Sequence, residues 1–232
     1  MTDITLNWSS GKDAALAYFR LLNDPDFNTV SLLTTLSDEH KRISMHGIRE
    51  EILNRQAALM NIPLQKLYLQ QDAGMESYGQ LMRNALKKLK DQGITTVAFG
   101  DIFLEDLRAY RERQLATENF NAVFPLWKSN TAKLVGEAED AGIEAIIVCV
   151  NDRYLGKEFL GKKISRSLLQ SLPHGVDPCG ENGEYHTLVI NAPFFSESLK
   201  IKTGETVYKT YSPADSGTWD SGFYFLDILP GW

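Results

Sequence analysis

Ser9, Ser10, Gly11, Lys12 and Asp13 stand in succession, and the chemistry they suit is the holding of phosphate. They follow an apolar run at residues 4–8 and open an amphipathic stretch at residues 12–22. A buried strand that turns through small residues into a helix start leaves backbone N–H groups pointing outward, and the helix dipole adds partial positive charge there. Lys12 adds a full charge, and Ser9 and Ser10 add hydroxyl donors. The plainer reading of the same residues is a serine-capped helix. A Walker A loop is excluded, because the glycine it needs five residues before Gly11 is Leu6.

A second chemical cluster lies far along the chain, in Asp177-Pro178-Cys179-Gly180-Glu181-Asn182-Gly183-Glu184-Tyr185-His186-Thr187. Glu181 and Glu184 flank Asn182-Gly183, and paired carboxylates suit a cationic substrate group. Gly180 and Gly183 allow a ligand or backbone close approach. The Asn-Gly pair is equally a type I′ hairpin signal. His186, and His46 upstream, carry the side chain for proton transfer near neutral pH, or pack as ordinary buried or capping residues. Glu105, Asp106, Arg108, Arg111, Glu112 and Arg113 share one helical stretch, where i,i+4 pairs on a solvated face account for most of them. Cys149 sits in an apolar run and reads as core. No basic neighbour in sequence favours a redox or nucleophilic role for Cys179.

The elements that must position these residues alternate. Strands are expected at residues 4–8, 29–36, 64–69 and 95–99, with helices at 12–22, 48–60, 78–91 and 104–120. A short extended piece follows at 122–125. Such alternation predicts an α/β fold with a parallel sheet flanked by helices and right-handed crossovers. Ligands of these sheets bind beyond the carboxyl ends of the strands. Residues 9–13, 37–40 and 100–101 all fall on that edge, which places Gly100 and Asp101 beside the loop. Pro125-Leu126-Trp127 marks a boundary between an N-terminal domain, residues 1–124, and a smaller C-terminal α+β domain, residues 125–232. In the latter, helices are expected at 131–141 and 160–172, strands at 145–150 and 185–191, and a ribbon pairing 206–211 with 222–228. Tyr208, Tyr211, Trp219, Phe223, Tyr224, Phe225 and Trp232 form an aromatic tail. Basic residues are sparse among them, so the tail suits packing or a homodimer contact better than base stacking.

Composition narrows the function classes. The 232 residues carry a formal net charge of −6, which argues against broad nucleic-acid binding, although residues 157–166 hold a local basic patch. No apolar run is long enough to span a bilayer, and the N-terminus lacks a signal-peptide pattern, so no membrane role and a cytoplasmic location are expected. Two cysteines are too few for a disulfide framework or a self-contained zinc site.

Ser9-Ser10-Gly11-Lys12-Asp13 resembles the Ser-Gly-Gly-Lys-Asp-Ser pyrophosphate loop of N-type ATP pyrophosphatases. Together with Met45-His46, Gly100-Asp101-Ile102, Pro125-Leu126-Trp127 and the 177–187 segment, it resembles the diphthine–ammonia ligase family. That resemblance implies a HUP-type nucleotide domain followed by an acceptor domain. It implies that ATP adenylates a carboxylate acceptor, diphthine or a similar group, with release of pyrophosphate. Ammonia then displaces AMP. Ser9, Ser10, Gly11, Lys12, Asp13, Gly100 and Asp101 are the implied nucleotide residues, with Lys12 and Asp101 catalytic and Asp13 and Asp101 facing Mg2+. Gly180, Glu181, Asn182, Gly183, Glu184 and His186 are the implied acceptor residues. Arg108 and Glu112 match charged family positions and, with His46, join as further candidates. Other readings of the resemblance are a tRNA-modifying adenylating enzyme and a non-catalytic adenine-nucleotide binder. Three positions depart from the pattern. Ser10 replaces a glycine, Ala14 replaces a serine, and His186 stands where archaeal and eukaryotic members usually carry glutamate, a version similar to the bacterial branch.

Overall fold

The computed structural model describes residues 1–70, 74–211 and 221–232. Trp219 of the aromatic tail lies outside the described residues. The first sheet is built from β1 (Thr2–Asn7), β2 (Phe27–Ser37), β3 (Leu64–Leu69), β4 (Thr96–Ala98) and β5 (Asn121–Val123). Its order is β3-β2-β1-β4-β5, and every pair in it is parallel. Helices α1 (Lys12–Leu22), α2 (Glu50–Met60), α3 (Met75–Asp91) and α4 (Glu105–Ala116) make the crossovers. The chain steps outward from β1 to β3 and then returns through α3 to β4. The carboxyl ends of β1 and β4 are therefore the switch point of the sheet, where a crevice forms.

Side chains alternate across this sheet as a strand buried on both faces requires. Leu32 and Leu36 of β2 join the large core that also holds α1 and α2, whereas Leu33 packs with Leu67 and Ala85 on the other face. In the same way Ala98 faces the first core, while Val97 and Phe99 pack with Leu86, Leu89 and Leu115 from α3 and α4.

The second sheet is antiparallel, in the order β7-β6-β9-β8. It comprises β6 (Glu144–Asn151), β7 (Tyr185–Asn191), β8 (Ile201–Tyr211) and β9 (Ser221–Pro230), with α5 (Thr131–Asp140) before β6. The expected ribbon forms, with Thr206 opposite Leu226 and Thr210 opposite Gly222, and it extends further than expected, to Ile201 opposite Pro230. One continuous core joins both sheets. Helix α1 touches β1 and β2 on one side and β7 and α5 on the other. Its buried Ala14, Ala15 and Ala17 keep it thin enough to lie there. Each large side chain buried at this junction, such as Leu16 and Leu21, contributes about 1.5–3 kcal/mol.

Two expected helices are shorter or absent. Residues 160–172 hold only the single turn α6 (Arg166–Leu169), preceded by a 3-10 turn at Lys157–Phe159. Gly161, at φ +79, breaks the coil. The following residues run along β6 instead, with Ile147 N–H donating to the Lys162 carbonyl and Ile164 N–H to the Ala145 carbonyl. Ser165 then caps α6 through the Leu168 N–H. The helix expected to reach residue 120 ends at Ala116, and Asn119 adopts a left-handed φ of +59 beyond it.

Candidate active site

The loop after β1 is held from outside. Trp8 is fully buried and donates through Nε1 to Gln56 Oε1 at 3.1 Å. Gln56 in turn donates to the carbonyls of Ser10, at 3.3 Å, and Val189, at 2.7 Å. Val189 N–H donates to the Ser10 carbonyl, and Lys12 N–H donates to Thr187 Oγ1 at 3.0 Å. Two elements, α2 and β7, thus fix the loop backbone. Ser10 takes a left-handed φ of +68, the conformation a glycine adopts freely, and its buried hydroxyl has no partner among the described residues. The serine-cap reading does not hold, because the N-cap of α1 is Gly11 and no side chain caps it. Gly100 is required by contact: a Cβ there would lie 2.9 Å from the backbone of Asp13 and Ala14. The end of β4 therefore abuts the first turn of α1, as the shared sheet edge predicts.

Lys12 is buried, and its ammonium donates to both Asp13 carboxylate oxygens at 2.8 Å and to the Cys179 carbonyl. The Tyr185 ring lies 5.4 Å from the ammonium. Burial alone would lower the Lys12 pKa, but the charge of Asp13 reverses this and holds it well above the ordinary lysine value. Burial raises the Asp13 carboxyl in spite of Lys12.

The 177–187 segment is held mainly from inside. Asp177 Oδ2 accepts from the N–H groups of Cys179 and Glu181. Glu184 is 1% exposed and accepts from the N–H groups of Asp177 and Asn182 and from the Asn182 side-chain amide. The expected type I′ turn is absent. Gly183 has φ +85 but Asn182 does not have positive φ, and β7 pairs with β6 instead of with the segment before the turn. The pull of Glu184 on Asn182 shapes the turn. Gly180, at φ +70, is packed against Tyr185. Glu181 points away from its own segment: its Oε1 accepts from Ile102 N–H at 2.7 Å and Phe103 N–H at 3.4 Å. Burial pushes its carboxyl up to about 7.

Beside this junction Asp101 forms a two-pronged pair with Arg111, whose guanidinium also covers the Phe99 ring. A slot of about 30 Å3 lined by Asn7, Tyr78, Met82, Phe99, Tyr110 and Arg111 opens next to it. Arg108 pairs with Glu112 at 2.7 Å and lies over the rings of Phe124 and Trp127. That contact keeps Arg108 and Glu112 on the flank of the sheet edge. His46 Nδ1 donates to the Thr187 carbonyl at 3.1 Å, and its ring lies 4.7 Å from that of His186. Among the described residues no group of three or more His, Cys, Asp or Glu is placed to hold a metal ion.

The structure brings together Lys12, Asp13, Glu181, His46 and His186 with the loop. Arg111 also belongs to the junction and was not expected there, and within the expected 177–187 segment the parts taken by Asp177, Thr187 and the Cys179 carbonyl were not assigned. Arg111 stands four residues after Leu107 in a run of charges, and only its register toward Phe99 sets it apart from Arg108. A backbone carbonyl leaves no mark in a sequence. Among the described residues no helix is long and apolar enough to cross a membrane.

Residues 1–116 match a family model described as diphthamide synthase N-terminal domain, and residues 130–216 match one described as diphthamide synthase C-terminal domain. The chain is similar to a diphthine–ammonia ligase of Rattus norvegicus, 33% identical over 129 residues, which cover 53% of this chain and 48% of the relative. It is similar to that of Danio rerio, 28% identical over 139 residues, covering 57% and 53% respectively. The chain spans about half the length of the curated relatives it matches. Among solved structures it is similar to the U34-tRNA thiolase NcsA from Methanococcus maripaludis with its 4Fe–4S cluster. That likeness has a TM-score of 0.36 and 16% identity, and covers 60% of this chain and 55% of the other.

Proposed function

The chain belongs to the diphthamide synthase family, and we propose that it is an ATP-dependent ligase that forms an amide from a carboxylate and ammonia. The reading rests most on one observation: Lys12 joins the loop after β1 to the 177–187 segment, at the carboxyl edge of the parallel sheet. An anion loop and a second, acid-bearing segment are what a two-substrate adenylating site needs.

In this reading the acceptor carboxylate attacks the α-phosphate of ATP, and pyrophosphate leaves. The departing charge gathers near the first turn of α1, where the helix dipole and the Lys12 ammonium oppose it. Lys12 must exchange its contact with Asp13 or the Cys179 carbonyl for a phosphate oxygen. Asp101 orients Arg111, whose cation stands at the end of β4 beside the slot. Glu181 is the carboxylate of the acidic segment that faces the nucleotide edge, and it meets the cationic part of the acceptor. Glu184, Gly180, Asn182 and Gly183 hold the shape that presents it. Ammonia then attacks the acyl carbon and AMP leaves. Asp101 does not fit a protein-held magnesium ion, because Arg111 closes it, and Asp13 is closed by Lys12 until that ammonium turns to a phosphate oxygen. Magnesium keeps its own waters and phosphate oxygens in most nucleotide sites.

The test is a screen of carboxylate acceptors, diphthine first, with ATP and ammonium, read as product nucleotide. The expected products are AMP and pyrophosphate in equal amounts, formed only with acceptor present. Release of ADP and phosphate, or no binding of ATP by calorimetry, would overturn the reading.

A further inference from the structure

His186 Nε2 is buried and makes no hydrogen bond among the described residues. Buried polar atoms are nearly always partnered, so an orphan beside an anion loop calls for a ligand. Its surroundings restrict that ligand. His186 precedes Thr187 on β7, and Thr187 fixes both neighbours. The Thr187 hydroxyl accepts the Lys12 N–H, and its carbonyl accepts from His46 Nδ1. The His46 ring reaches the loop itself, since its Cε1 lies 2.9 Å from where a Gly11 side chain would begin. His46 is carried by a tight turn in which Met45 holds φ +64 and Gly47 φ +70. A left-handed methionine is a strained conformation that persists only where the surroundings impose it.

Charge narrows the choice further. The bond to the Thr187 carbonyl puts the His46 proton on Nδ1 and leaves a lone pair on Nε2. Burial, then the nearby Lys12 ammonium, keeps His46 neutral, with its pKa lowered to about 4. Burial, His46 and Lys12 lower His186 in the same direction. The Lys12 ammonium repels a cation from these rings, and an unprotonated ring nitrogen offers a lone pair, which accepts an N–H and not an anion. A His186 ring that carries its proton on Nδ1 presents a free lone pair on Nε2, and a small neutral N–H donor fits it.

We propose that the His46–His186 pair is the seat of the nitrogen nucleophile, neutral ammonia, and that His186 Nε2 accepts one of its N–H groups. This rests on the ligase reading. Ammonia held through a hydrogen keeps its own lone pair free for the acyl carbon. As the C–N bond forms, the C–O bond to AMP breaks and its electron pair leaves with AMP. The extra proton on nitrogen passes to His186 Nε2. Only an unprotonated ring can do both.

The test follows the isotope-labelled imidazoles of the full chain by NMR, with ATP present, during addition of ammonium chloride at neutral and at alkaline pH. Potassium chloride is the control. The His186 Nε2 resonance is expected to shift in proportion to free ammonia and not to total ammonium. In His186→Ala the response of His46 is lost while calorimetry still detects ATP binding. Once an acceptor is in hand, His186→Ala raises KM for ammonia by about tenfold, the loss of one hydrogen bond, and His186→Gln, which keeps an acceptor oxygen, recovers part of it. A shift that follows potassium chloride or total ammonium, or no shift in wild-type protein that binds ATP, overturns the seat alone. Wild-type protein that binds no ATP overturns the ligase reading, and the seat with it.

Discussion

The loop at residues 9–13 and the segment at residues 177–187 meet at Lys12, yet they are built on opposite plans. The loop is fixed by others: its backbone groups are taken by Gln56, Thr187 and Val189. What it carries of its own is the charge of Lys12 and Asp13. The segment fixes itself, because Asp177 and Glu184 spend their carboxylates on N–H groups within it. To the junction it exports the Cys179 carbonyl, the Glu181 carboxylate and, at its far end, the hydroxyl and carbonyl of Thr187. A long acidic motif is therefore mostly architecture, and the short loop is mostly charge. Two glutamates three positions apart, Glu181 and Glu184, have different work.

The largest effect expected from this contrast is on stability. Glu184→Ala strips an acceptor from three donors in a site that is 1% exposed. Hydrogen bonds to a charged group contribute about 1.5–3 kcal/mol each and do not add fully, so a loss of about 3–5 kcal/mol is expected. Urea unfolding measures it, with Glu181→Ala beside it as the mild variant. Equal losses in the two variants would erase the distinction between them.

The next effect falls on the loop. Lys12→Ala is expected to weaken ATP binding by about 1.5–3 kcal/mol, a factor of ten or more, as one charge-assisted contact is lost. Calorimetry reads the affinity, and a melting curve separates it from the stability lost with the Asp13 pair. Unchanged affinity would make Lys12 a strut between the two regions and nothing more.

Much of this arrangement is legible in the residues. The alternating apolar runs give the parallel sheet, and the position of the loop after β1 and of Gly100 after β4 gives their meeting. The contacts that fix the loop are not legible, because two come from Gln56 and Val189, far away in sequence and unremarkable in type, and the third comes from Thr187, whose motif does not show what its side chain touches. The missed helix at residues 160–172 has a local cause visible in the chain, Gly161, but its pairing with β6 depends on an open strand edge that only the tertiary structure provides. The division of labour between Glu181 and Glu184 is hidden for the same reason. Both are glutamates beside an Asn-Gly pair, and only the direction of each side chain tells them apart.

The smallest effect tests that division by pH. Glu181 keeps its proton to about pH 7 in the folded chain, against 4.5 for an ordinary glutamate, because it is buried. Between those values the native state binds more protons than the unfolded state, so this group makes stability fall as pH rises. Asp13, raised by burial, acts in the same direction. His46 runs the other way: it is lowered from 6.5 to about 4, so the unfolded chain binds more protons in that window and stability rises with pH. His186 adds to that rise. The wild-type profile mixes these opposed slopes, and the informative quantity is a difference. Glu181→Gln lacks the Glu181 limb alone. The stability of wild type minus that of Glu181→Gln is therefore expected to decline between pH 4.5 and 7 and to level off above, by about 1–2 kcal/mol once solvent access to the turn is allowed for. Urea unfolding at a series of pH values measures it. A difference that stays flat through that window would mean that Glu181 is ionised at its Ile102 contact throughout, and that the segment spends this carboxylate on architecture as it spends Glu184.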